Sequence, residues 1–243
     1  MAEGGAGGGE ELGNLQRRAR WAGALYLIGG ACAAAGTMLP QALITGLDAS
    51  RTGLALLANE HLYRFALGLE VVGAVSFIPL TLILAALFGR SRPLTSALMV
   101  LLYAVSAPVW FSGVAAETSA LWILHEPLRL AAQGSDTRLG LTMTLLAYHQ
   151  GALLLVQVFW GFWLLPLAYL LWRAADAPRL VAGLIALAGV AYPVATMISF
   201  GWPQLPGASA FLLAPAGLGE LTAIAWLLAG APSTLLFRKE TLR

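Results

Sequence analysis

Glu70, Glu117, Glu220 and His149 are the residues that could do chemistry, because each sits inside a long apolar run. A charge at the bilayer centre costs about 2.5–3.5 kcal/mol on insertion scales, so none of the four is expected to face lipid. A carboxyl group shielded from water can serve as a proton donor, which suits Glu70 or Glu220 to general-acid work. His149 is the one intramembrane side chain that titrates near neutrality when unperturbed, fitting a base or proton relay. Aromatic faces such as those of Trp110 and Trp160 can stabilise a cationic intermediate or ligand. These parts together suit acid-initiated isomerisation or cyclisation of a lipophilic, isoprenoid-like molecule.

Helical spacing shows which residues share a face with them. Tyr63, Glu70 and Phe77 fall on one stripe. Tyr103, Ser106, Trp110, Gly113 and Glu117 form a second, and His149, Val156, Trp160 and Trp163 a third, with Gln150 and Gln157 beside it. At 1.5 Å per residue, Glu70 and His149 lie roughly 12 Å below the outer membrane boundary. Glu117 falls near the outer end of its helix, Glu220 close to the middle of its own, and Tyr63 and Arg64 at an outer mouth. The expectation is a mostly apolar pocket in the outer half of the membrane. Glu70, His149 and Glu220 would be catalytic there, with ligand contacts from Tyr63, Arg64, Trp110, Glu117, Gln150, Gln157 and Trp160. The competing reading makes the polar groups packing contacts between helices, worth about 1 kcal/mol each. Glu70, Glu117, His149 and Glu220 could in principle ligate a metal, but no HExxH pair or second helical His accompanies them, so no metal site is expected. His61 and His125 fall in loops.

The elements that must position these groups are membrane spans. Hydrophobic residues make up 59% of the 243-residue chain and charged ones 11%, against about 25% in soluble domains. Mean hydropathy is +0.77. A soluble fold could not hide that much apolar surface, so lipid is the expected solvent. Six apolar runs stand out: Trp21–Ile44, Leu62–Phe88, Leu94–Leu124, Leu141–Trp172, Leu180–Phe200 and Ala208–Gly230. The fold class is therefore all-α, a polytopic integral membrane bundle of six transmembrane helices. Splitting the fourth run at Pro166 would give seven, but would export the basic C-terminus. Residues 1–16 read as a disordered cytoplasmic tail, 17–237 as the transmembrane domain and 238–243 as a basic cytoplasmic end. The first run is too long for the apolar core of a signal peptide and reads as an anchor.

Arginine and lysine set the orientation. Arg17, Arg18, Arg20, Arg90, Arg92, Arg173, Arg179, Arg238, Lys239 and Arg243 fall on one side; Arg51, Arg64, Arg129 and Arg138 fall on the other. The split is ten against four, which places both termini in the cytoplasm of a bacterial inner-membrane protein. Pro79, Pro108, Pro166, Pro193 and Pro215 put a proline in each of the last five spans, suggesting helices bowed around an interior space. Gly29, Ala33 and Thr37 recur at the small-residue spacing that lets helices approach closely. The stretch Thr52–Asn59 reads as a short interfacial helix.

No phosphate-cradling Gly loop, nucleophile elbow or Arg ladder is present, so no cofactor is expected and nucleic-acid binding has no support. A single cysteine, Cys32, excludes an internal disulfide. The partners implied are membrane lipid and a lipophilic small molecule.

Further residues carry a likeness. They are Arg20, Gly23 and Tyr26; Glu60, Tyr63 and Arg64; His149 and Gly151; and the run Phe159-Trp160-Gly161-Phe162-Trp163-Leu164-Leu165-Pro166-Leu167-Ala168-Tyr169-Leu170. Pro178-Arg179, Gly183, Gly189 and Tyr192 follow, then Pro215-Ala216-Gly217-Leu218-Gly219-Glu220 with Trp226-Leu227. In these the chain resembles a bacterial family of multipass membrane proteins known as domain of unknown function 4386. The resemblance implies the multipass fold and supplies no reaction. It overlaps the site residues at Arg64, His149 and Glu220. The third span departs from the family pattern, having Tyr103, Ser106 and Glu117 where a basic residue is common.

Three functions fit these readings: an enzyme or binding protein for a lipophilic molecule, a scaffold or accessory protein, and a proton-linked transporter. The transporter fits least, because the two halves show no repeat and the inner halves of the spans are poor in ionisable groups.

Overall fold

The structure is a computed structural model describing residues 6–44, 46, 48–125, 134–174, 177–202 and 204–231. Three parts of the sequence reading lie outside the described residues: the first five tail residues, Arg129, and the C-terminal basic group of Arg238, Lys239 and Arg243.

Seven helices form, in the order α1 (Ala6–Gln41), α2 (Ala49–Ala58), α3 (Glu60–Phe88), α4 (Pro93–His125), α5 (Gly134–Arg173), α6 (Arg179–Gly201) and α7 (Pro206–Leu228). There is no strand among the described residues. All but α2 are long and apolar enough to cross a membrane, and they coincide with the six runs read from hydropathy. The protein is thus an all-α, polytopic membrane bundle. Helix α1 starts at Ala6 and so extends N-terminally into the Gly-rich segment. Helix α5 runs from Gly134, ahead of the apolar run, with Asp136 in the first turn complementing the positive end of the helix dipole. Pro166 lies inside a continuous α5, as do Pro79, Pro108, Pro193 and Pro215 in their helices. Neighbouring helices can re-satisfy the carbonyls that proline leaves unpaired in a membrane.

By internal packing the chain forms two compact units, the first made of Ile28–Val75 and Ser106–Val156, the second of Met1–Leu27, Ser76–Val105 and Gln157–Arg243. In the first unit α1 lies against α3 through small residues. A Cβ placed on Gly73 would stand 2.9 Å from the Ala33 backbone nitrogen, and one on Gly36 would stand 2.8 Å from that of Glu70. Ala33, read earlier as one of a small-residue stripe, thus has its partner. Helix α2 begins at Asp48, whose carboxylate accepts from the Arg51 amide at 2.9 Å. It buries Thr52, Gly53 and Leu56, with Gly53 set against Leu139 of α5. The short amphipathic helix read over Thr52–Asn59 is therefore present, with its inner face on protein.

The second unit is close-packed at glycines. Gly161 of α5 lies against Gly189 and Pro193 of α6, and Gly219 of α7 against the Leu184 carbonyl. A Cβ on Gly219 would fall 2.6 Å from that oxygen, so only glycine allows this approach. Tyr26, Phe77, Tyr103 and Trp163 build an aromatic core, with ring centroids 5.5–6.5 Å apart. Arg92 and Arg173 both lie over the Tyr169 ring, and Arg179 over Trp172, as expected of basic residues at the ends of membrane helices.

Candidate functional site

Helices α3, α4 and α5 each present a candidate residue in the first unit because apolar and small residues recur around it at helical spacing. On α3, Tyr63, Ala66, Leu67, Glu70 and Ala74 are buried, while Phe65, Val71, Val72 and Val75 are exposed to the surroundings. On α4 the buried stripe is Ser106, Trp110, Gly113, Val114, Glu117 and Leu121, with Trp122 outside. On α5 it is Thr142, Leu146, His149, Leu153 and Val156, with Leu155 outside. The outward residues are the apolar ones a lipid-facing surface requires, so the polar residues have only the interior to occupy.

The three stripes meet at Glu70, Glu117 and His149, each no more than 1% exposed. His149 Nε2 stands 3.7 Å from Glu70 Oε1 and 3.8 Å from Glu117 Oε1. Both distances exceed a hydrogen bond, so the imidazole faces two carboxylates without closing on either. Glu70 is steered from its other side, where Trp110 Nε1 donates to Oε2 at 2.9 Å. Glu70 Oε1, Glu117 Oε2 and the Tyr63 hydroxyl are buried and have no hydrogen-bond partner among the described residues. Tyr63 lies within electrostatic reach of both carboxylates. Two glycines make room: a Cβ on Gly113 would fall 3.2 Å from His149 Nδ1, and one on Gly36 would fall 2.6 Å from Glu70 Cγ. Glu70 is ten residues into α3, roughly 15 Å along the helix, so the cluster is remote from its end.

The structure thus brings together Tyr63, Glu70, Trp110, Glu117 and His149. Arg64 is instead half-exposed and paired with Glu60 at 2.6 Å, and His125 reaches the other oxygen of Glu60 at 2.8 Å. Gln150 is half-buried on the stripe beside His149.

Glu220, Trp160 and Gln157 belong to the second unit. Glu220 Oε2 accepts from the Tyr26 hydroxyl and Oε1 from the Tyr192 hydroxyl, both at 2.7 Å. Trp160 meets Tyr192 edge to face at 6.3 Å, and Gln157 is half-buried. The expected single constellation of four helices is, in the first unit, a cluster from three. Tyr26 and Tyr192, the partners of Glu220, and Gly36, the neighbour of Glu70, were not singled out as site residues from the sequence. Depth along a helix does not say which neighbouring helix a side chain meets, and that is the information their assignment needs.

Fold and cluster together define a class: a six-span α-helical membrane protein with a buried imidazole held between two carboxylates. Within that class the chain belongs to the family described as domain of unknown function (DUF4386), which matches residues 21–230. No curated protein and no solved structure matches the chain.

Proposed function

We propose that the Glu70–Glu117–His149 cluster is the functional centre of an intramembrane protein acting on, or binding, a lipophilic small molecule, with acid–base chemistry of the isomerase or cyclase type. One observation carries this reading: several polar atoms of the cluster are buried without hydrogen-bond partners among the described residues. Packing contacts between membrane helices are selected to satisfy such groups, and an unsatisfied buried acceptor costs about 1–3 kcal/mol. A protein that keeps several in one place has a use for them. In this reading Glu117, whose Oε2 has no hydrogen-bond partner among the described residues, exchanges a proton with the substrate. His149 lies between the two carboxylates and tunes them, Trp110 holds Glu70 in orientation, and Tyr63 is a further donor. The substrate is lipophilic because the surrounding helix faces are apolar. The excess of Arg and Lys on one set of loops supports cytoplasmic termini in a bacterial inner membrane.

The test is to incubate detergent-purified protein with membrane lipid extract and compare the products by chromatography and mass spectrometry. Wild type is expected to convert one lipophilic species into another of identical mass and different retention, and Glu117→Gln to reduce this by at least about 100-fold. Identical profiles with and without wild-type protein would sink the enzymatic reading.

A further inference from the structure

We propose that Glu70, Glu117 and His149 are the ligands of one divalent first-row transition-metal ion, Zn²⁺ or its neighbours Mn²⁺ and Fe²⁺. The proposal rests on reading this cluster as the functional centre, but on no particular substrate. One donor atom from each of the three residues lies within 4.8 Å of the other two. The imidazole Nε2 is 3.7 and 3.8 Å from the nearest carboxylate oxygens. Ligands bound to one ion at about 2.0–2.2 Å stand roughly 3–3.5 Å from one another, so a small contraction brings all three to coordinating distance.

Four further features agree. An imidazole too far to hydrogen-bond either carboxylate, yet aimed between them, is poorly placed for packing and well placed for sharing an ion. Two carboxylates brought this close in a buried interior can ionise together only beside a balancing charge, and a dication supplies it. Trp110 occupies Glu70 Oε2 and leaves Oε1 turned toward His149, the arrangement by which outer-shell partners orient a ligating carboxylate. The Tyr63 hydroxyl, fully buried and without a hydrogen-bond partner among the described residues, is an independent sign of a missing neighbour. It would meet whatever fills the open position that three protein ligands leave on such an ion. Two oxygens and one imidazole nitrogen suit Zn²⁺, Mn²⁺ or Fe²⁺ better than the soft Cu⁺, and ligands drawn from facing helices are how bundles build metal centres. The HExxH spacing sought in the sequence is unnecessary when three helices each supply one ligand.

The experiment uses the full chain purified in detergent, stripped with a chelator, reloaded with Zn²⁺ and desalted before elemental analysis. Wild type is expected to retain about one Zn²⁺ per chain. Glu117→Gln and His149→Ala are expected to bind Zn²⁺ at least about tenfold more weakly, and Trp110→Phe, which removes an orienting bond but no ligand, about tenfold. Glu220→Gln retains the ion. Equal retention by all variants, or no retention of Zn²⁺, Mn²⁺ or Fe²⁺ by wild type, overturns the site. A second readout needs no variant. Co²⁺ added to stripped wild type is expected to give the ligand-field bands of a low-coordinate site, abolished by excess Zn²⁺. A spectrum matching aqueous Co²⁺ overturns the proposal. Metal bound without turnover of lipid extract removes the enzymatic reading and leaves the ion site standing. Turnover of lipid extract by wild type that retains none of these ions after reloading removes the ion site and leaves the enzymatic reading standing.

Discussion

Glu117 and Glu220 are both glutamates within apolar helices, and the two units treat their oxygens in opposite ways. Each oxygen of Glu220 accepts a tyrosine hydroxyl at 2.7 Å, one from α1 and one from α6, so the carboxylate ties three helices together. Glu117 shares its surroundings with Glu70 and His149, and its Oε2 has no hydrogen-bond partner among the described residues. Burial alone therefore does not distinguish a structural carboxylate from a reactive one. What separates them is whether the acceptor capacity is used up by the fold. By that measure the Tyr26–Glu220–Tyr192 group is a strut, whereas the Glu70–Glu117–His149 group keeps acceptors, unpartnered among the described residues, that the proposed site would use.

The largest expected effect tests the packing that holds the site. Gly36→Ala puts a methyl group 2.6 Å from Glu70 Cγ and 2.8 Å from its backbone nitrogen, which forces α1 and α3 apart. A loss of about 2–3 kcal/mol in unfolding free energy, measured in mixed detergent micelles, is expected. An unchanged value would mean that α1 yields easily and that Glu70 is not pinned. Next is Glu220→Ala, which leaves the Tyr26 and Tyr192 hydroxyls without their acceptor. It is expected to destabilise by about 1–2 kcal/mol while leaving metal retention intact. A neutral result would remove the strut from the comparison. The smallest effect is the most telling: Glu117→Gln is expected to change stability by less than about 0.5 kcal/mol, or to raise it, because the fold gains little from that carboxylate. Destabilisation as large as that of Glu220→Ala would make Glu117 a strut as well.

The six spans were legible because long apolar runs leave little choice of solvent, and α2 because Thr52–Asn59 is a short amphipathic segment. The meeting of Glu70, Trp110, Glu117 and His149 was legible too. Each lies on a stripe of small and aromatic residues repeating at helical spacing, and such a stripe must face protein when the opposite face is mostly apolar. The fate of Glu220 was not. Its depth resembled that of the others, but a helix can turn a residue toward any of several neighbours, and only the packing of α7 on α6 selects Tyr192. Arg64 shows the same limit at a shorter range. Glu60, one turn before it on α3, captures the guanidinium before any deeper group can. The N-terminal reach of α5 to Gly134 also escaped hydropathy, because a helix once formed propagates through polar residues that carry no apolar signal.

The closeness of Gly36 to Glu70 has a consequence for affinity. Ordering a free glutamate side chain costs on the order of 1.5–2 kcal/mol in rotamer entropy. With α1 lying against its Cγ and Trp110 holding one oxygen, Glu70 has lost that freedom before any ligand arrives. The ordering is completed during folding and is not repeated at each binding event. Whatever binds there meets a rigid carboxylate and gains up to about tenfold for each 1.4 kcal/mol of freedom already removed.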